Sequence, residues 1–216
     1  MDLRNPIRTI IPSVDGLVLQ VVARAGLPLT GLQIANLAGA SPERTRQVLR
    51  RLTVDGLVVK RAAGSAFVYS SNPDHVLWPA VRTLVDTCDG VVLLLKQEAI
   101  RTCGGVVPPE VLSRLTVALF GSVARGTPRS DSDIDILLIL PDDVSSELTE
   151  TLVARLIGTL SVASGSEVNV LALTRQGFDD MVRRPDPLVE TLAADAQVFN
   201  GPNFRRRLTG APWDAE

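Results

Sequence analysis

Two aspartates two residues apart, Asp133 and Asp135, stand against the apolar run Ile136-Leu137-Leu138-Ile139-Leu140, and this arrangement constrains the chain more than any other feature. The run reads as a short strand. Along a strand, residues i and i+2 share a face, so both carboxylates point the same way, a few ångströms apart. Carboxylates that close repel one another unless a cation joins them. Upstream, Phe120-Gly121-Ser122-Val123-Ala124-Arg125-Gly126-Thr127-Pro128-Arg129 brings glycines to positions 121 and 126. They let the backbone turn tightly and lay its N–H groups against an anion, with the Ser122 hydroxyl able to donate as well.

Around this centre the pattern is one of short apolar runs, Leu115 to Phe120, Ile134 to Leu140 and Val168 to Leu173, with a helical segment from Ser145 to Ala163 between the last two. Strands and helices of this length predict a small mixed α/β domain that closes near Asn203, with a mobile tail from Arg205-Arg206-Arg207 onward that contains Trp213. At 216 residues, with 45% apolar and 21% charged side chains, the chain has the composition of a soluble globular protein with room for one large domain or two small ones. Its longest apolar runs, Val91 to Leu95 and Ile136 to Leu140, fall far short of the roughly 18 residues that span a bilayer. No signal sequence opens the chain, so the expectation is a cytoplasmic protein without a membrane partner. Cys88 and Cys103 form neither a disulfide framework nor a metal-binding pair and are expected as reduced thiols on an apolar face.

Charge divides the chain. Residues 1–61 carry nine Lys/Arg against four Asp/Glu, whereas the remainder carries thirteen against twenty. A basic front on an acidic back predicts two modules with different partners, the front one facing a polyanion. In that front, Ser13 to Ala25 has apolar residues at helical spacing and ends at Gly26-Leu27-Pro28. Thr30 caps a short second helix through Ala38, with Ile34, Ala35 and Leu37 facing inward. Ser41-Pro42-Glu43-Arg44 reads as an N-cap, a proline at the first helical position and an acidic first turn, opening a third helix that runs to about Asp55. Thr45, Val48, Leu49 and Leu52 fall on one side of it; Glu43, Arg46, Gln47, Arg50 and Arg51 fall on the other. Leu57 to Arg61 and Ala66 to Tyr69, separated by Ala-Ala-Gly-Ser, read as a hairpin. Three helices followed by a hairpin is the order of a winged helix-turn-helix, with Arg46, Gln47, Arg50 and Arg51 directed at the major groove, Lys60 and Arg61 at phosphates, and Arg44 also on the DNA-binding side. A single such unit binds weakly, so a homodimer is expected. His75 to about Thr102, with one glycine at position 90, predicts a connector helix apolar on more than one side.

The stretch from Phe120 to Ile136 resembles the signature of the DNA polymerase β-like nucleotidyltransferase superfamily, Gly-Ser, a spacer, then Asp-hydrophobic-Asp-hydrophobic, and within it the minimal nucleotidyltransferases. The resemblance implies that Gly121 and Ser122 hold the β- and γ-phosphates of a nucleoside triphosphate and that Asp133 and Asp135 bind Mg²⁺ (or Mn²⁺). Arg125 and Arg129 are the cations available to the triphosphate, and Lys96 is the only lysine after the hairpin. The family also implies a third carboxylate on a later strand, as base or metal ligand. By register that position holds Asn169, with Glu167 two residues earlier on the same face as the candidate substitute. An amide cannot act as a general base, although its oxygen ligates a metal weakly.

The expected architecture is thus α+β: a winged helix-turn-helix over residues 1–74, a connector helix over 75–104, a minimal nucleotidyltransferase over 105–203 with a small mixed sheet, and a tail over 204–216. Its expected activity is metal-dependent transfer of a nucleoside monophosphate to a hydroxyl of a protein, an RNA 3′ end or a small molecule. The competing expectation is a DNA-binding regulator, or a toxin–antitoxin component with a partner protein, whose second domain senses nucleotide without turnover.

Overall fold

The computed structural model describes residues 1–184, 186–208 and 213. The chain separates into two compact units, Asn5–Val91 and the combination of Met1–Arg4 with Val92–Glu216.

In the N-terminal unit, α1 (Ile7–Ile10) and α2 (Val14–Arg24) precede the short strand β1 (Leu29–Thr30), α3 (Gly31–Leu37) and α4 (Pro42–Val54). Each of the longer helices starts where a hydroxyl satisfies a free backbone N–H: Ser13 for α2, Ser41 for α4, and Thr30 for α3, where Gln33 reciprocates to complete a capping box. The hairpin β2 (Val58–Ala63) and β3 (Ala66–Ser71) pairs antiparallel, and β1 joins on the far side of β3. Ala62 and Ala63, expected in the turn, pair with Phe67 and Ala66, so the turn shrinks to Gly64-Ser65, the two-residue connection that best matches strand twist. Val18, Ile34, Leu49 and Val85 are fully buried at the centre of this unit. Leu37 departs from expectation: it is 66% exposed, because the inward stripe of α3 runs through Ile34, Ala35 and Ala38 and leaves Leu37 on the flank.

The predicted connector is two helices. His75 lies in a turn whose Nδ1 accepts from the Leu77 N–H, α5 (Trp78–Asp89) follows, and Gly90 separates it from α6 (Val91–Gly104). The Gly90 backbone leaves helical geometry at φ −89°, ψ 2°, ending α5. α5 closes the N-terminal unit through Asp89, which accepts from Gln20 Nε2 at 3.0 Å and Arg24 Nε at 2.8 Å on α2. The hydrogen bond from Arg24, outweighing burial, holds the Asp89 carboxyl below its ordinary range.

In the C-terminal unit, α6 and α7 (Pro109–Leu112) lead into β4 (Thr116–Phe120), α8 (Gly121–Ala124) and β5 (Ile134–Leu140). α9 (Ser146–Ser164) then returns the chain to β6 (Val168–Thr174), and α10 (Arg175–Val182), α11 (Pro187–Asp195), β7 (Gln197–Asn200) and α12 (Arg205–Leu208) complete it. The sheet order is β6-β5-β4-β7, with β5 and β6 parallel and the other pairs antiparallel. α9 supplies the long connection that a parallel pair requires and buries one stripe, Leu152, Leu156 and Leu160, spaced four apart. Leu137 and Ile139 of β5 face Phe178, Leu192 and Phe204; Ile134 and Ile136, of opposite parity, meet Val92, Leu95 and Leu160. The protein is therefore α+β, and among the described residues no helix is long and apolar enough to cross a membrane.

The segment expected as a mobile tail starts with an anchored turn. Phe204 is fully buried, Arg207 Nε donates to Asp179 Oδ1 at 2.9 Å, and Trp213 stands edge-on to Phe178 with centroids 5.6 Å apart. The remainder of that tail, 209–212 and 214–216, lies outside the described residues, as does position 185. Both cysteines are buried; burial raises the Cys88 thiol and pushes Cys103 up to about 12, which disfavours the thiolate at both.

Candidate functional site

Strand pairing assembles the acidic centre. Phe120 at the end of β4 lies opposite Asp135 on β5, and Asp135 lies opposite Asn169 on β6. Asp133 sits immediately before β5, whose first residue, Ile134, donates its N–H to the Glu167 carbonyl at 2.9 Å. Asn169 Nδ2 donates to Asp133 Oδ2 at 3.2 Å and to Asp135 Oδ1 at 3.3 Å. Carboxylates only accept, so the atom facing both of them is the amide nitrogen. The two carboxylates therefore converge on one point, and a donor already occupies it.

Gly121 makes this convergence sterically feasible. Its φ is +71°, and a Cβ there would lie 2.2 Å from Asp135 Oδ2. Gly121→Ala combines a left-handed backbone with that clash, so it is expected to destabilise the protein by about 1–3 kcal/mol in urea denaturation and to displace the Asp135 side chain. Beyond Gly121 the loop closes on itself, with Thr127 N–H bonded to Ser122 O at 3.0 Å and Arg129 N–H to Ser132 Oγ at 2.8 Å. The result is an open cleft of about 620 Å³ lined by Gly121, Ser122, Arg125, Arg129, Asp133 and Asp135, together with Thr191 of α11. That volume suits a small-molecule ligand, for which clefts of about 300–1,000 Å³ are usual.

The two arginines differ. Arg125 Nη1 is held by Asp195 Oδ2 at 2.5 Å, whereas Arg129 is 84% exposed and only loosely paired with Asp131 at 3.6 Å. Behind the loop, Gln197 Nε2 donates to the Ala124 carbonyl at 2.5 Å, and Lys96 Nζ donates to Gln197 Oε1 at 2.6 Å. Burial pushes the Lys96 ammonium below its usual value. Asp195, Gln197 and Thr191 lie more than fifty residues from the motif and carry no spacing that points to it.

Glu167, the expected substitute for a third carboxylate, lies before β6 and is exposed. Among the described residues, no group of three or more His, Cys, Asp or Glu is arranged to hold a metal, so Glu167 does not join Asp133 and Asp135 in such a cluster. Asn169 is the residue that meets the pair.

In the N-terminal unit the basic side chains of α4 are exposed but not equivalent. Arg51 is committed to Asp15, and also to Asp55 at 3.3 Å. Burial opposes ionisation of Asp15, yet hydrogen bonds from Arg51 and Ser13 outweigh it and hold the carboxyl below its ordinary range. Arg46 pairs with Glu43 at 2.9 Å, and Arg44 bonds Gln47 at 3.2 Å. Arg46, Arg50 and Lys60 border a groove of about 660 Å³ between α4 and the hairpin. There Lys60 Nζ stands 3.7 Å above the ring of the exposed Phe67. Arg61 is exposed on the same strand as Lys60.

Residues 109–193 match the family model described as a nucleotidyltransferase domain. No curated protein matches the sequence. Among solved structures, the chain is similar to a toxin–antitoxin complex with AMP-PNP, at 18% identity over 53% of this chain and 84% of that one, with a TM-score of 0.37. It is also similar to a complex of a tri-AMPylated Shewanella oneidensis HEPN toxin with its MNT antitoxin, at 17% identity over 55% and 83% of the two chains, TM-score 0.35. TrmBL2, an archaeal chromatin protein with a novel mode of DNA binding, aligns over 83% of this chain and 68% of its own at 16% identity, TM-score 0.27.

Proposed function

We propose, from the premise that residues 109–193 form a nucleotidyltransferase domain, that the cleft binds a nucleoside triphosphate with Mg²⁺ or Mn²⁺ and transfers its nucleoside monophosphate to an acceptor hydroxyl. The observation that carries this reading is the convergence of Asp133 and Asp135 on the single point that Asn169 Nδ2 occupies, at the mouth of a nucleotide-sized cleft. Two acceptor-only groups directed at one donor are a fitting donor set for a hard divalent cation. Asp133 and Asp135 would hold it, and when bound it supplies Lewis-acid polarisation of phosphoryl oxygens.

The rest falls to the chain itself. Gly121 and Ser122 lie beside Asp135 and receive the terminal phosphates, while Arg129, exposed at the rim, and Arg125, fixed by Asp195, offer positive charge to the triphosphate. In the reaction the acceptor oxygen forms a bond to the α-phosphorus, the bond to the bridging oxygen breaks, and pyrophosphate leaves with the negative charge. The acceptor proton leaves to solvent in the open cleft and not to Asn169, since an amide is no base at neutral pH. The acceptor is a hydroxyl of a protein, an RNA 3′ end or a small molecule.

The N-terminal unit is proposed to bind double-stranded DNA through Arg46, Arg50, Lys60 and Arg61, which are exposed along α4 and the hairpin. Asn169 in the acidic centre favours a second reading, a DNA-binding regulator that holds nucleotide without turning it over. One experiment separates them. Incubation with Mg²⁺ and α-labelled triphosphates is expected to label an acceptor if the domain is an enzyme; nucleotide binding without any labelling supports the regulator. Under both readings duplex DNA is retarded, Arg50→Ala weakens retardation, and affinity falls as salt rises, since each neutralised phosphate releases counterions with a log–log slope of about −0.9. Salt-independent retardation, or none, would remove the DNA assignment.

A further inference from the structure

We infer that the cleft holds a single divalent cation together with its triphosphate, and that Asn169 is the residue that sets this count. The inference rests on the nucleotide-binding reading above and concerns what the amide does there.

The number of hard ligands on the protein leads to it. A pair of divalent ions clamping an attacking and a leaving oxygen sits about 3.5–4 Å apart and brings four positive charges into one small site. The side chains that face that point are two carboxylates and an amide, Asp133, Asp135 and Asn169. Asn169 occupies the β6 position directly opposite Asp135, where a carboxylate would have added a third negative charge and two more hard oxygens. The amide does the opposite: its Nδ2 protons are shared between the two carboxylates and offset their mutual repulsion without a metal. Glu167 does not make up the deficit: its side chain is exposed and joins no group of three His, Cys, Asp or Glu arranged to hold a metal among the described residues. With two carboxylates and an amide at that point, the protein supplies hard anionic oxygens for one divalent ion; a second would have to be carried almost entirely by phosphate oxygens and water.

The same geometry lowers the cost of bringing two carboxylates to one point. Paired carboxylates on adjacent positions of one face normally raise the free energy of a metal-free site, and here a neutral donor relieves it. Replacing the amide by a carboxylate of the same shape reverses that balance. Without metal, three negative charges would crowd one point; with metal, the donor set would be richer.

The test counts ions. Mn²⁺ is titrated into the full chain in the presence of a non-hydrolysable triphosphate analogue, with bound and free Mn²⁺ distinguished by electron paramagnetic resonance. The wild-type chain is expected to bind one ion. Asn169→Asp is expected to bind two, to tighten the first by about tenfold through its added charge, and to show a larger rise in Tm on Mn²⁺ addition than the wild type. Glu167→Gln is expected to leave the count at one. Two ions on the wild-type chain, one ion on Asn169→Asp, or a loss of the ion in Glu167→Gln would each overturn the assignment. The analogue's own binding is followed separately by displacement of a fluorescent nucleotide in EDTA and in Mn²⁺. Failure to bind nucleotide under either condition sinks the nucleotide-binding reading and this inference with it, whereas nucleotide binding with two ions sinks only the inference.

Discussion

Asp135→Asn is expected to reduce label transfer by about a thousandfold or more, in line with the loss of a single charge-stabilising group at a phosphoryl-transfer centre. Asp135 is the most constrained member of the acidic pair: it faces Phe120 on one side of the sheet register and Asn169 on the other, and its Oδ2 fills the space that a side chain on Gly121 would occupy. The substitution keeps the shape and removes the charge, so the fold is expected to persist while cation binding fails. Asp133→Asn should act similarly, since both carboxylates accept from the same Asn169 nitrogen. Their effects should not add, because either loss leaves a lone carboxylate opposite an amide. The measurement is initial-rate transfer of label at saturating Mg²⁺, with circular dichroism and Tm to establish that the variants remain folded. Transfer retained within a few fold would remove the pair from the reaction.

The second large effect is structural and lies away from the cleft. Gly201→Ala is expected to cost about 3 kcal/mol or more of stability, the sum of a left-handed backbone and a backbone clash that no side-chain rotation relieves. Gly201 has φ +72°, and a Cβ there would lie 2.1 Å from the Leu115 carbonyl oxygen and 2.6 Å from its carbon. Its surroundings are pinned. Thr116 Oγ1 donates to Pro202 O at 2.7 Å, and Asn200 Nδ2 donates to Leu112 O at 2.9 Å and Leu115 O at 2.8 Å, so β7 and the entry to β4 are clamped where the residue must fit. Gly64→Ala is the control. It has a similar φ, +61°, but a Cβ there meets nothing within 4 Å, so only the backbone term remains, about 1 kcal/mol. Urea denaturation of the two variants side by side reads the difference; equal losses would mean that the chain around Leu115 yields more readily than its hydrogen bonds imply.

Much of the local structure was legible in the residues. Ser13, Thr30, Ser41 and Ser145 stand where helices begin because a hydroxyl beside a free N–H is a local device, written into adjacent positions. Strand β5 was equally plain, since a short apolar run behind Asp133 and Asp135 has few alternatives. Errors arose where distant residues decide. Leu37 has an apolar side chain at a position that helical spacing alone did not exclude from the core, and the packing of Ala38 in its place turned it outward. Helical spacing on both sides of Gly90 predicts a single connector helix, whereas the backbone there breaks α5 from α6. The tail carries no local signal of support; it is held because Phe204 and Trp213 meet Phe178, and Arg207 meets Asp179, on α10.

For the candidate site the division is sharper. The sequence by itself determined which residues could do chemistry: Gly121, Ser122, Asp133 and Asp135 are joined by spacing, and spacing is a property of neighbours along the chain. The resemblance to the nucleotidyltransferase signature, combined with register counting on a strand, implies a carboxylate at the position that Asn169 holds. Only the tertiary structure shows that Asn169 is the β6 residue facing Asp135, because that depends on the parallel pairing of β5 with β6. It likewise decided that Arg125 answers to Asp195 and that Lys96 reaches the loop through Gln197, pairings of 70 and 101 residues' separation that no local pattern encodes. Carboxylates, amides and guanidinium groups act over a few ångströms, and over that range it is the folded sheet, not the order of residues, that chooses their partners.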